Sequence, residues 1–216
     1  MHRFIPPDRH VQRLARCVIG LALFGVGISL ILQANLGAAP WDVFHTGVSE
    51  LTGIPVGTVI IITGVALLLL WIPLREQPGI GTILNAIEIG VVVDLALPVI
   101  PEPDLLLVRI PMMLGGVVIV AIGSGFYIGS GLGPGPRDGL MTGLVRHGVS
   151  IRSARTGIEV FVLVVGIALG GSIGIGTAVF AIAIGPLVHV FLPMFTMRPL
   201  TDDTPPAVDA PSPAAS

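Results

Sequence analysis

The chain consists of six long apolar runs separated by short stretches that are polar or rich in glycine and proline. A helix needs about 20 apolar residues to cross a bilayer. The pattern therefore predicts six transmembrane helices, at about 12–34, 55–74, 81–99, 108–130, 152–170 and 175–196. The two ends, 1–11 and 199–216, are polar, and the second is predicted to be disordered.

Two shorter segments interrupt this pattern, one after the first long run and one after the fourth. Each contains a proline, Pro40 or Pro136, of the kind that suits the first turn of a helix. The segments are predicted to be short helices, at about 40–52 and 137–148. They are too short to span a bilayer, so each is expected to be a non-spanning helix attached to its set of three long ones.

The two short segments open with the same motif. LGAAPWD at 36–42 returns as LGPGPRD at 132–138, and six of 12 positions agree when the comparison runs on to 47 and 143. A second match has an offset of 95 residues, where nine of 16 positions agree from the GIGT motifs at 79 and 174 onward. Two matches in the same order predict two homologous repeats, 12–100 and 108–196.

Composition identifies the class of protein. Hydrophobic residues make up 53% of the chain and charged residues only 11%, against about 25% charged in soluble domains. The sequence therefore predicts an all-α polytopic membrane protein with a transmembrane domain over 12–198. The first apolar run exceeds the usual length of a signal core, so it is expected to be a retained helix.

The arginines predict an orientation. All 11 basic side chains are arginines, and ten of them fall on the cytoplasmic side if both termini are cytoplasmic; only Arg109 falls outside. Three spans per repeat make the second repeat inverted, so the two short helices enter from opposite sides about a pseudo-two-fold axis in the membrane plane. Irregular backbone at membrane depth must face protein or a water-filled cavity. A cavity lined by 35–42 and 131–138 is expected.

Several motif residues could carry chemistry there. Asp42 and Asp138 hold the same place in the two repeats, and either they cap their helices or they bind a cation or proton. Arg137 could pair with Asp138 or bind an anionic group of a substrate. Trp41, in the place of Arg137, is expected to belong to the interfacial aromatic belt.

Other ionisable residues lie within the long apolar runs. Glu88 is deep in the third run, where it is either a proton-exchanging residue or a neutral carboxyl hydrogen-bonded to a neighbouring helix. Arg155 and Glu159 have the i,i+4 spacing of an ion pair, which is either structural or part of a binding site. Asp94 is expected to extend toward the outer interface, and His189 to be packed and hydrogen-bonded.

The motifs LGAAPWDV, GIGT and LGPGPRDGLMTGL, with Arg155 and Glu159, resemble the YczE branch of the YczE/YitT-type bacterial membrane proteins over about 17–196. The resemblance implies a multi-pass protein of the bacterial inner membrane with five or six spans. It assigns no activity, and it marks the shared motif positions as candidates.

A small-solute secondary transporter or permease is the leading hypothesis, because inverted repeats with broken segments typically enclose a transport site. The alternative is a non-transporting membrane scaffold or accessory subunit, and a membrane enzyme comes third. The chain has no phosphate-binding loop and no HExxH motif, so no enzyme activity, cofactor or metal is expected. The expected partners are the lipid bilayer, an unknown small solute and a possible second copy, and not nucleic acid.

Overall fold

The computed structural model describes residues 9–197, and these residues form eight α-helices and no strand. The six long and two short helices predicted from the sequence are confirmed, with ends that differ by a few residues. The polar ends, 1–8 and 198–216, lie outside the described residues. The helices are α1 His10–Ala34, α2 Pro40–Thr52, α3 Val56–Leu74, α4 Ile80–Ala96, α5 Leu106–Gly129, α6 Pro136–Arg146, α7 Ile151–Ala168 and α8 Ile175–Phe195.

Four of the helices in residues 9–197, namely α1, α3, α5 and α8, are long and apolar enough to cross a membrane. The other two long helices, α4 and α7, are slightly too short or too charged to be counted with these four. α4 has only 17 residues, and α7 carries the charged side chains of Arg152, Arg155 and Glu159. Length and composition therefore give an integral membrane protein with at least these four candidate spans.

Close packing of α1 on α5 forms the centre of the fold. Gly20 lies against Gly123, and Gly27 lies against Gly116. A methyl group on Gly27 would come within 2.8 Å of the Gly116 carbonyl oxygen, and one on Gly116 within 2.8 Å of the Gly27 oxygen. Small residues at these points allow the close approach of two backbones that is common between helices in membranes.

Two arginines connect the ends of the same helix pair. Arg13, near the start of α1, donates from Nη1 to the carbonyl oxygen of Ser130 just beyond α5, at 2.7 Å. Arg109, near the start of α5, donates from Nε to the carbonyl oxygen of Ala34 at the end of α1, also at 2.7 Å. The start of each helix therefore lies beside the end of the other, and the two helices are antiparallel. Arg109, predicted on the outer side, satisfies a helix C-terminus.

The two motifs make a matching pair of backbone contacts. The N–H of Gly81 in α4 donates to the carbonyl oxygen of Leu132 at 2.9 Å. The N–H of Gly176 in α8 donates to the carbonyl oxygen of Leu36 at 2.7 Å. Each motif thus receives the first turn of a helix from the other half of the sequence.

The α3–α4 pair is tightly closed. Gly57 contacts the backbone of Gly90, and Gly64 contacts Ala86. Asp94 of α4 completes the contact, because the Gly57 N–H donates to its Oδ1 at 2.6 Å and the Thr58 hydroxyl donates to its Oδ2 at 2.8 Å. The expectation that Asp94 extends toward the interface was wrong, since its carboxylate caps the first turn of α3.

The corresponding pair in the second half is open. Both α7 and α8 are described in full, and they make almost no contact with each other. At an offset of 95 residues, Glu159 stands where Gly64 stands in α3, and His189 stands where Asp94 stands in α4. His189 is exposed, so the expectation that it is a packed side chain was wrong. Glu159 therefore replaces one of the small residues that close the α3–α4 pair, and His189 replaces the carboxylate that caps α3.

Candidate functional site

A cavity of about 350 Å³ lies between the helices, and each of the eight helices described contributes to its wall. This is the low end of the range of about 300–1,000 Å³ that small-molecule sites occupy. Its wall combines apolar side chains with a group of polar and charged ones: Trp41, His45, Thr63, Asn85, Ser124, Tyr127, Arg137, Asp138, Arg155 and Glu159. The first motif contributes Trp41 and the second contributes 135–138, so the structure has a cavity at the predicted place.

The start of α6 places two charged residues on the cavity. Gly135 is the N-cap and Pro136 is the first helical residue, so Arg137 and Asp138 follow in the first turn. The hydroxyl of Tyr127 accepts from the Gly135 N–H at 2.9 Å and donates to Asp138 Oδ2 at 3.3 Å. Tyr127 is buried, so it holds the Asp138 carboxylate in a fixed position on the wall.

Arg137 is held by an aromatic ring. Its guanidinium carbon lies 4.8 Å from the centroid of the Trp41 indole, a distance at which a cation is attracted to the ring face. Within residues 9–197 the guanidinium makes no hydrogen bond or ion pair. Its donors therefore remain available to a ligand. Trp41 is buried in the cavity wall, with 8% of its surface exposed, and the expectation that it belongs to an interfacial belt was wrong.

Asp42 lies behind this wall, next to His45 on the same helix face. Asp42 Oδ1 and His45 Nδ1 are 3.5 Å apart, which is long for a hydrogen bond. The two side chains are buried, and His45 has no exposed surface at all. The pair belongs to the first-motif side of the cavity, opposite Asp138 and Tyr127.

Arg155 and Glu159 form the predicted ion pair on α7, with Arg155 Nε 3.0 Å from Glu159 Oε1. Both residues line the cavity. Their side chains are 60% and 35% exposed, so much of each remains accessible beside the gap between α7 and α8. The cavity wall as a whole therefore carries two arginines and two carboxylates.

Comparison with known proteins decides the family. Residues 11–193 match a family of unknown function, DUF6198. The chain is 36% identical over 178 residues to the uncharacterized membrane protein YczE of Bacillus subtilis, which covers 81% of this chain and 82% of that protein. The chain belongs to the YczE-type family of membrane proteins.

Two further relatives agree with this assignment. An uncharacterized protein of Haemophilus influenzae is 34% identical over 183 residues, 84% of each chain. The uncharacterized protein YyaS of Bacillus subtilis is 31% identical over 183 residues, 82% of this chain and 90% of that protein. No solved structure matches this chain significantly.

In this YczE-type protein, four of the six residues predicted as site residues line one cavity: Arg137, Asp138, Arg155 and Glu159. Asp42 reaches the cavity only through its neighbour His45. Glu88 is half-buried on α4 and is not among the residues that line the cavity. The structure therefore brings five of the candidates into one region and places the sixth elsewhere.

Sequence reasoning missed two residues of this YczE-type site. Tyr127 was overlooked although it is the only tyrosine in the chain and its hydroxyl joins Gly135 to Asp138. His45 was overlooked as well, although it follows Asp42 by three residues, the spacing that puts two side chains on one helix face. A search for polar residues three or four positions from each motif aspartate would have found His45. Tyr127 lies on another helix and needed the fold.

Proposed function

We propose that this protein is a secondary transporter of a small solute and that its binding site is the cavity between the two repeats. The observation that carries the proposal is the contact of Arg137 with Trp41. These residues hold the same position in the two motifs, 96 residues apart, and both line the cavity. A site at the junction of two repeats, beside interrupted helices, is the arrangement that transporters use.

The proposal includes six spans in two inverted three-helix repeats, with α4 and α7 crossing the membrane as well. Reciprocal contacts of α1 with α5 support it, because Arg13 and Arg109 occupy equivalent positions and each donates to the end of the other helix. Equivalent helices that run in opposite directions are expected of inverted repeats. The arginine distribution and the bacterial relatives support a multi-pass protein of the inner membrane.

The difference between the two repeats supports a moving protein. The α3–α4 pair is closed by Gly57, Gly90 and Asp94, whereas α7 and α8 stand apart beside the cavity. Alternating access between inverted repeats requires that the two repeats adopt different conformations and exchange them. In the alternative state we expect α7 to close on α8 and α3 to move away from α4.

The charges suggest the kind of solute. Arg137 has free donors, Asp138 has its carboxylate held on the wall, and the Arg155–Glu159 pair lies at the open side. We propose a solute that carries a carboxylate or a similar anionic group for Arg137 and a polar or cationic group for Asp138. A fully apolar solute would leave these charges without partners and bind weakly.

The test is a thermal-shift screen of the purified protein against a broad panel of metabolites, followed by uptake of each hit into proteoliposomes. Bound ligand stabilises the folded state by RT ln(1 + [L]/Kd), so a true substrate raises Tm with concentration. Arg137→Gln is expected to abolish the shift. Arg152→Gln is the matched control, because Arg152 is exposed on α7 and does not line the cavity.

A panel that yields no shift, or hits that are not taken up, would contradict the transporter. A partner protein that copurifies with the chain and is lost when exposed residues of α8 are changed would instead favour the scaffold. Of the four candidate spans, α8 is the least buried, since only 6% of its most apolar stretch is buried inside the structure. Its surface is therefore where a scaffold would meet its partner.

A further inference from the structure

The polar atoms of Asp42 and His45 lack partners. Within residues 9–197, three buried side-chain nitrogen or oxygen atoms make no hydrogen bond: Asp42 Oδ1, His45 Nδ1 and His45 Nε2. All three belong to this one pair, which lies in the first two turns of α2. Buried polar atoms are nearly always hydrogen-bonded, and an unpartnered one needs an explanation, such as a bound ion, a bound proton or a functional role. Three such atoms in one pair therefore make it a candidate binding site.

The surroundings of the pair favour a very small ligand. The ring of His45 lies near two aromatic rings, with centroid distances of 6.4 Å to Trp41 and 5.8 Å to Phe44. His45 has no exposed surface, yet it forms part of the cavity wall. Aromatic rings leave little room for a solute or for the several oxygen ligands of a hard metal ion. A proton needs only the lone pair of one ring nitrogen.

The charged groups near the pair come from a few elements. α2 itself adds Glu50, which lies at the far end of the helix, and α3, packed beside α2, has no ionisable side chain. α7, also packed on α2, presents Arg155 and Glu159 to the same cavity. α6 presents Arg137 and Asp138, and α5 presents Tyr127. Burial disfavours an imidazolium at His45, the Asp42 carboxylate favours it, and the Arg137 guanidinium opposes it.

We propose that Asp42 and His45 together form the proton-binding site through which transport is coupled to the proton gradient. This inference rests on the proposed function. In the proton-loaded state the Nδ1 lone pair of His45 forms an N–H bond to a proton taken from cavity water, and the imidazolium donates to Asp42 Oδ1. On release the N–H bond breaks and the proton returns to water on the other side.

Protonation of His45 is expected to act on Arg137 through the neighbouring ring of Trp41. Trp41 contacts both His45 and Arg137, so a positive charge on His45 repels the guanidinium that the indole holds. Proton binding at one end of Trp41 therefore changes the position of the solute-binding arginine at the other. Imidazole suits this role because its charge changes between about pH 5 and pH 8.

The first experiment measures proton binding without transport. The chain has two tryptophans, Trp41 and Trp71, so the Trp71→Phe variant reports from Trp41 alone. Its fluorescence is expected to fall with a single midpoint as pH decreases, since imidazolium quenches a neighbouring indole. His45→Gln is expected to abolish the titration. His189→Gln is the matched control, because His189 is exposed on α8 and is not among the residues that line the cavity.

A second variant tests the proton site if His45→Gln does not fold. Asp42→Asn removes the carboxylate that favours the imidazolium, so the midpoint is expected to move to lower pH. An unchanged midpoint in Asp42→Asn, a titration that persists in His45→Gln, or no titration in the folded parent would each overturn the proton site.

The second experiment separates this inference from the proposed function. It uses proteoliposomes with an imposed pH gradient and the solute found in the screen. We expect gradient-driven accumulation by the parent and by His189→Gln, and uptake by His45→Gln that no longer responds to the gradient. If His45→Gln still accumulates solute, the coupling site is wrong and the transporter stands. If the parent takes up no solute, the transporter fails and the coupling role fails with it.

Discussion

The guanidinium carbon of Arg137 lies 4.8 Å from the centroid of the Trp41 indole, although the two residues are 96 positions apart in the sequence. They occupy the same place in two copies of one motif. Two equivalent residues can touch only where the copies meet, so this contact marks the point where the two copies of the motif meet. The two copies differ at this position, where the first has the aromatic ring of Trp41 and the second has the cationic side chain of Arg137.

Changing Trp41 tests what the ring does for Arg137. Cation–π contacts contribute about 0.5–2 kcal/mol, and about 1.4 kcal/mol is a tenfold change in affinity. Trp41→Phe is expected to retain most of the solute affinity, and Trp41→Ala to weaken it by about tenfold. Calorimetric titration of the solute from the screen measures both. Equal affinity of the parent and Trp41→Ala would show that the ring does not position the arginine.

The glycine contacts between α1 and α5 predict where added volume is harmful. Gly27→Ala puts a methyl group 2.7 Å from Val120 and 2.8 Å from the Gly116 oxygen. Forcing such contacts costs about 1–3 kcal/mol, so the melting temperature in detergent is expected to fall. Gly115→Ala is the control on the same helix pair, since its added methyl meets nothing within 4 Å. A larger loss for Gly115→Ala would contradict this packing.

The reciprocal arginines predict matched losses at opposite ends of one helix pair. Arg13→Gln and Arg109→Gln each remove a charged donor to a helix C-terminal carbonyl. Hydrogen bonds to charged groups contribute about 1.5–3 kcal/mol, so both variants are expected to be destabilised by about that amount. Lysine at either position should restore part of the loss. Thermal unfolding of the four variants side by side measures it, and a loss confined to one end would contradict the reciprocal roles.

Much of this fold could be predicted from local signals. Apolar run length and the prolines at 40 and 136 gave the helices, and the repeated motif gave the cavity, because each signal acts within a short stretch of chain. The open α7–α8 pair could not be predicted in this way. Glu159 stands there in the place of Gly64, and the effect of such an exchange on a distant partner helix is not visible from sequence spacing.

The same distinction between local signals and distant contacts applies to the candidate residues. Arg155 and Glu159 could be paired from the sequence because the two lie one turn apart on a single helix. The partners of Asp94 are on another helix, where the backbone N–H of Gly57 and the hydroxyl of Thr58 donate to its carboxylate. Burial of His45 and Tyr127 likewise depends on helices that are distant in the sequence. Site features that arise from contacts between distant helices therefore needed the structure.

The proposed six-span arrangement predicts which loops are reachable from outside the cell. Residues Gln77, Glu102, Ser150 and Ser172 are all exposed, and the natural Cys17 is buried. Single cysteines at 102 and 172 are expected to react with a membrane-impermeant maleimide in intact cells, and those at 77 and 150 only after lysis. Labelling at 77 or 150 without labelling at 102 would show that the topology is wrong.

Glu88 provides the last test, since its charge near the middle of α4 suggested a proton carrier. The structure places Glu88 half-buried and outside the cavity wall, and within residues 9–197 it makes no hydrogen bond. Without a hydrogen-bonded neighbour, Glu88→Leu leaves no polar group stranded, so little loss of stability is expected. Glu88→Gln, which keeps the shape and removes the titration, is expected to retain pH-driven uptake. The opposite pattern would be decisive: if Glu88→Gln inserts, folds and binds solute but loses accumulation, while His45→Gln keeps it, the proton crosses at α4 and not at α2.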